Sequence, residues 1–241
     1  MVKVTLFILA AILFFAGCSY SAPYRPTKPN ELIQDNYISI RAIDNNWEID
    51  SDYKGSVMPY GFPGLYLHKN NFTFDIVFRT QPYRDGVVNR QLFDKDSSID
   101  DSDVHEDPIS ERSRAMGVTY EKGWIPYIKG MRCAGGVFSR SFGGSIYSAT
   151  SKNYNIGCGY YDKKYGKRIL DISYRYYGGT GDTKLQGSQD EKNITPKQAE
   201  EELKEALKEI LKTLHIKRFD KERMIQKGLY HPERKFESTK W

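Results

Sequence analysis

No run of eighteen or more apolar residues occurs in the 241-residue chain, which excludes a polytopic membrane protein. An excess of one charge is missing too. Lys and Arg number 36 against 31 Asp and Glu, leaving a net +5, too balanced to call for a nucleic-acid partner. Only three cysteines and four histidines are present. No HExxH, Walker A or GxSxG spacing appears, since Gly143-Gly144-Ser145 runs on into Ile146-Tyr147 without a second glycine. Gly157-Cys158-Gly159-Tyr160 lacks the third glycine and the βαβ setting of a dinucleotide site, and fits a strand interior where backbones approach closely. Gly179-Thr180-Gly181-Asp182 has the glycines to cradle an anion but serves equally as a connector before a helix. No catalytic residue, metal or other cofactor is implied, and the reading is not an enzyme. Against these absences, 39% apolar and 14% aromatic residues suffice for a folded core.

The first seventeen residues read as a targeting segment. Lys3 supplies a weak positive start, and Val4 to Ala16 is apolar apart from Thr5, too short to cross ~30 Å of hydrocarbon but suited to a secretory signal. Phe15-Ala16-Gly17-Cys18 resembles the lipobox of bacterial lipoproteins, in which cleavage falls before the cysteine and its thiol carries diacylglycerol. The alternative is an ordinary secretory signal that ends near a cysteine. Acyl chains on Cys18, at ~0.8 kcal/mol per buried methylene, would hold the protein on a membrane. Ser19 resembles the pattern that sorts lipoproteins to the outer membrane, so the expected place is a periplasm-facing anchor there. Prolines at 23, 26 and 29 predict an extended tether.

With Cys18 acylated, Cys133 and Cys158 remain as a pair in an oxidising compartment, and a disulfide is expected. A metal or redox pair is the alternative, but no CxxC occurs. His68, His105, His215 and His231 are all distant in sequence from both cysteines. From Asp35 onward the apolar period is mostly two. Phe72, Phe74, Ile76 and Phe78 alternate with Thr73, Asp75 and Arg79, predicting a half-buried strand. Residues 87–93 read as a further strand. Residues 117–177 read as a meander, with strands at 131–139, 145–150, 154–161 and 168–177 and turns at 142–144, 151–153 and 162–167. That arrangement puts the two cysteines on next-but-one strands, roughly 9–10 Å apart, beyond disulfide reach. Either the strand order is not a simple meander or the cysteines meet at a sheet end, and the simple order is the one doubted.

Thr195, Pro196 and Gln198 form a helix start. Ala199, Leu203, Ala206, Leu207, Ile210, Leu211 and Leu214 form one apolar stripe behind it. A second short helix is expected around 220–227. The fold class expected is α+β: mostly antiparallel β-sheet with a long C-terminal amphipathic helix packed on it. The chain divides into a lipoprotein signal peptide (1–17), a Pro-rich tether (18–30), an N-terminal β-rich region (31–93), an acidic linker or loop (94–113), an antiparallel sheet plus helix (114–230) and a basic tail (231–241).

Asp94 to Asp107 carries seven carboxylates against one lysine. Asp94-x-Asp96-x-Ser98-x-Asp100 has calcium-loop spacing, but Ile99 and His105 stand where glycine and glutamate are needed. A solvated loop is one reading. Another is a patch that meets a basic partner, and the candidate interface is Asp100, Asp101, Asp103, Glu106 and Asp107 together with exposed tyrosines. The eighteen tyrosines serve either as core filling or as an adhesive surface.

Residues 131–176, MRCAGGVFSRSFGGSIYSATSKNYNIGCGYYDKKYGKRILDISYRY, pair two cysteines within aromatic strands, with a GCGYYD run and a closing strand. The segment resembles the C-terminal domain of immunity lipoproteins that neutralise type VI secretion lipase effectors. The resemblance implies a periplasmic inhibitor that binds an incoming phospholipase and has no catalysis of its own. The expected function is accordingly a lipid-anchored binding protein against a toxic secreted effector. An envelope-assembly or adhesion lipoprotein acting through protein contacts is the alternative, and a lipid-anchored hydrolase is third.

Overall fold

The computed structural model describes residues 24–50, 64–69, 74–96, 118–124, 126–143, 148–179 and 196–234. Their main feature is a nine-stranded sheet in which every pairing is antiparallel. Its members are β1 (Tyr24–Pro26), β4 (Glu48–Asp50), β5 (Gly64–Lys69), β6 (Phe74–Pro82), β7 (Val118–Trp124), β8 (Tyr127–Ile128), β9 (Met131–Gly143), β10 (Ser148–Asp162) and β11 (Gly166–Gly179). They lie in the order β1-β4-β5-β6-β11-β10-β9-β7, with β8 paired to β9. Strands from 31–93 and from 114–230 thus share one sheet, joined where β6 meets β11. β1 also lies within the stretch read as tether, so folded structure begins by Tyr24.

β9, β10 and β11 are consecutive neighbours, so the order doubted from sequence is the simple one. The physical reason is that 145–150 and 154–161 are not two strands. β10 runs unbroken from 148 to 162, and Ser151-Lys152-Asn153, read as a turn, lies within it. Cys158 therefore faces Cys133 directly across β9 and β10, with Cα atoms 4.2 Å apart and the sulfurs bonded. The Cys133 N–H donates to the Pro126 carbonyl instead of to β10, as fits the close, non-hydrogen-bonded type of cross-strand pair.

Residues 87–93 are not a strand. Val87–Gln91 forms a short helix, α1, in which the Arg90 N–H donates to the Gly86 carbonyl. Leu92 and Phe93 beyond it fall over Gly159, whose absent side chain leaves them room: a Cβ there would lie 3.0 Å from both. Side chains, rather than another backbone, make the close approach. β6 is buried on both faces rather than one, because Asp75 (4% exposed) and Val77 (1%) are as enclosed as Phe74, Ile76 and Phe78.

The second layer consists of a three-stranded sheet and a helix. The sheet has the order β12 (His215–Ile216), β3 (Ile38–Arg41), β2 (Leu32–Gln34). The helix, α2, spans Pro196–Thr213 and packs against β11 and β3. Leu203, Leu207, Ile210, Leu211 and Leu214 join Ile38, Ile40, Ile76, Phe78, Ile156 and Ile172 in one continuous core. The expected α+β class is corrected here. Among the described residues strand makes up 50% and helix 19%, in three short helices of 5, 18 and 6 residues, so the fold is mostly antiparallel β rather than a sheet closed by one long helix. An 18-residue helix reaches ~27 Å, whereas a strand of 15 residues reaches ~50 Å. A single helix cannot close so long a sheet, and the small sheet covers what it leaves. The third helix, α3 (Lys221–Gln226), starts on Asp220, whose side chain accepts from the Arg223 N–H, close to where the sequence put it.

Tyrosine fills the core and also reaches the surface. Tyr154, Tyr160 and Tyr174 are fully buried, whereas Tyr165 is 49% exposed. Tyr154 and Tyr174 face each other across β10 and β11 and stack with ring centres 4.6 Å apart. Burial pushes the Tyr160 hydroxyl up to about 12, with Arg168 nearby pulling the other way.

Candidate functional site

Of the residues singled out from sequence, Cys133 and Cys158 are brought together as a disulfide, both with no exposed surface. Cys18 and the acidic candidates Asp100, Asp101, Asp103, Glu106 and Asp107 lie outside the described residues. Asp94 and Asp96 are exposed, and the Asp94 side chain caps the Asp96 N–H at 3.0 Å.

A charged ladder on the polar face of the central strands was not assembled from sequence. β6 carries Asp75-Ile-Val-Phe-Arg79 and β11 carries Asp171-Ile-Ser-Tyr-Arg175. Antiparallel pairing sets Asp75 opposite Arg175 and Arg79 opposite Asp171. The Arg175 guanidinium lies 3.0 Å from one Asp75 oxygen. The other oxygen lies 2.7 Å from His68 Nδ1 on β5, and the Tyr24 ring meets His68 edge-on. Arg79 donates to the Tyr66 hydroxyl at 3.1 Å. Although part of Asp171 remains accessible, desolvation of its carboxyl raises its pKa, against the pull of Arg79. His68 and Asp75 are 6% and 4% exposed. Asp75 meets both Arg175 and His68 there, so the cluster holds three strands in register.

A groove of about 700 Å³ runs between α2, the β8–β9 turn and the segment after α3. Lys129 and Gly130 make the turn, with φ of 51° and 81°, the pair of positive values a two-residue hairpin demands. Lysine adopts φ > 0 at a cost. Its ammonium compensates by donating to the Lys212 carbonyl at 2.7 Å, near the C-terminus of α2, where a cation is favoured. Burial lowers the Lys129 pKa. Leu211, Tyr230 and Ile128 supply the apolar lining, and Glu205, Glu209 and Arg234 the polar one. Among the described residues no group of three His, Cys, Asp or Glu is placed to hold a metal ion. No helix among them is long and apolar enough to cross a membrane.

No protein-family model matches the chain, and no curated protein matches it in sequence. Among solved structures it is similar to LpqN, described as involved in cell envelope biogenesis of Mycobacterium tuberculosis. The identity is 12% and the TM-score 0.36, over 80% of this chain and 90% of that one.

Proposed function

We propose that the protein is an envelope lipoprotein, held at a membrane by acyl chains on Cys18 and acting through contact with a protein partner. The observation that supports this reading is the buried Cys133–Cys158 disulfide. Such bonds form and persist where thiols are oxidised, the same side of the membrane to which the Cys18 signal directs the chain. A sheet tied in this way loses little freedom on binding, which keeps the ordering cost of recognition low. The groove beside α2 supplies the mixed polar and apolar surface that recognition of a protein uses. A finer reading, neutralisation of a secreted phospholipase at an outer-membrane site, is supported by the resemblance of 131–176 to immunity lipoproteins. That segment contains the disulfide-tied hairpin.

Deletion of the gene separates the two readings. Loss of resistance to detergent and chelator, restored by the wild-type chain and not by Cys18→Ser, supports the envelope reading. Death on contact with unmodified siblings, restored in the same way, supports neutralisation of an effector. Survival equal to that of the parent under both challenges overturns the proposal.

A further inference from the structure

We infer that the end of the sheet bearing the β10–β11 turn is a docking surface for an anionic phospholipid bilayer. The turn is built on Asp162, whose carboxylate accepts from the Lys164 and Tyr165 N–H groups at 2.8 and 3.0 Å and from Arg218 at 3.1 Å. The segment before α3 lies against it through Lys163 N–H to Arg218 carbonyl and Asp220 N–H to Tyr161 carbonyl hydrogen bonds. Arginines and lysines cluster there. Arg168 is buried and Arg218 half-buried, and they stack on Tyr37 at 4.2 and 5.1 Å, while the exposed Arg223 stacks on Tyr161 at 4.3 Å. Lys164, Lys167 and Lys221 also lie over rings, those of Tyr165, Tyr83 and Tyr230, at 4.9, 4.8 and 5.2 Å. Lys163, Lys164, Lys167, Lys217 and Lys221 are exposed and make no ion pair among the described residues, and Tyr165 stands exposed among them.

The exposed lysines without ion pairs select the partner. Protein interfaces use arginine and are poor in lysine. A bilayer of anionic lipids attracts flexible lysines without demanding a fixed geometry, and tyrosine settles at the headgroup level. Register supplies the orientation. Tyr24 pairs with Asp50, which continues toward the Gly64 end of β5. Gly64 faces Arg79, and Pro82 faces Arg168. The chain therefore enters β1 from the end of the sheet that carries the lysines. Six residue steps from Cys18 to Tyr24 span at most ~20 Å, so an acylated chain keeps its folded body near the membrane.

The inference takes its setting from the anchored reading, but its test does not use the anchor. The chain 18–241 carrying Cys18→Ser is mixed with vesicles of phosphatidylethanolamine and phosphatidylglycerol, or of phosphatidylcholine alone, and sedimented. The protein is expected on the anionic vesicles only, and to be released as salt rises. The triple variant Lys163→Gln, Lys164→Gln, Lys217→Gln is expected to keep its urea midpoint and to partition about a hundredfold less, at about fivefold per lysine. The charge-matched triple Lys197→Gln, Lys204→Gln, Lys208→Gln on α2 is expected to bind as the parent does. No binding to anionic vesicles, equal binding to phosphatidylcholine, equal losses in both triples, or capture by an acidic polypeptide in place of vesicles overturns the inference. A free thiol on Cys18 in cells counts against the anchor and leaves this result standing.

Discussion

At the scale of single residues, the start of the folded body depends on Glu31. Its carboxylate pairs with Arg25 on β1 and accepts the Lys28 N–H at 2.9 Å, closing the turn that leads into β2. The hydrogen bond from Arg25, opposed by desolvation, holds the Glu31 pKa below the usual carboxylate range. A carboxyl whose folded pKa is depressed contributes stability above its unfolded value, and that contribution is lost as pH falls through the folded one. Glu31→Gln is therefore expected to lower stability at pH 7 by under about 1 kcal/mol, because the pair is partly exposed. Urea midpoints of the two chains should converge as pH falls below the usual carboxylate range. His68 shows what single residues conceal. In the sequence it stands between leucine and lysine, and its partner Asp75 becomes a neighbour only when the β5–β6 hairpin closes.

Among the elements, β6 and β11 carried more information than alternation alone reveals. Two copies of an Asp-x-x-x-Arg pattern, laid antiparallel, match each acid to a base at both positions, whereas a slip in register breaks both matches. Strand pairing between 74–82 and 166–179 was legible in that pattern. A double-mutant cycle of Asp75→Asn with Arg175→Gln should give a coupling energy of about 1–3 kcal/mol in urea unfolding. Additive losses would mean that the pair does not hold the strands together.

The disulfide acts at the same scale. It closes 25 residues, worth about 3–4 kcal/mol of denatured-state entropy. Cys133→Ala with Cys158→Ala should cost that much, and the wild-type chain under strong reductant should lose a similar amount. The two elements misread from sequence share a cause. Ser151-Lys152-Asn153 has turn composition but needs no positive φ, so cross-strand pairing on both sides overrides it. Val87-Val88 favours a strand, but burial of Leu92 over Gly159 fixes the segment as a helical turn.

For the molecule as a whole, the alternation in 117–177 and the stripe in 196–214 were readable because each repeats a single period over many residues. The balance between them was not, since short strands such as β1, β2, β4 and β12 have too few residues to show a period. The second layer is built from three such pieces and α2, and this moves the class to mostly antiparallel β. The candidate surfaces were equally hidden. The groove joins residues 128–130 to 205–212 and 230–234, and the lysine-rich end joins 161–168 to 217–221, whereas Cys133 and Cys158 announced their partnership by count and compartment.

The account as a whole depends on where the chain is held. Cells fed an alkyne fatty acid, followed by mass spectrometry of the N-terminal peptide, test that directly. The account predicts a peptide that starts at Cys18 with a glyceride thioether on its sulfur, recovered from the membrane fraction. A free Cys18 thiol on protein recovered in soluble form would contradict it.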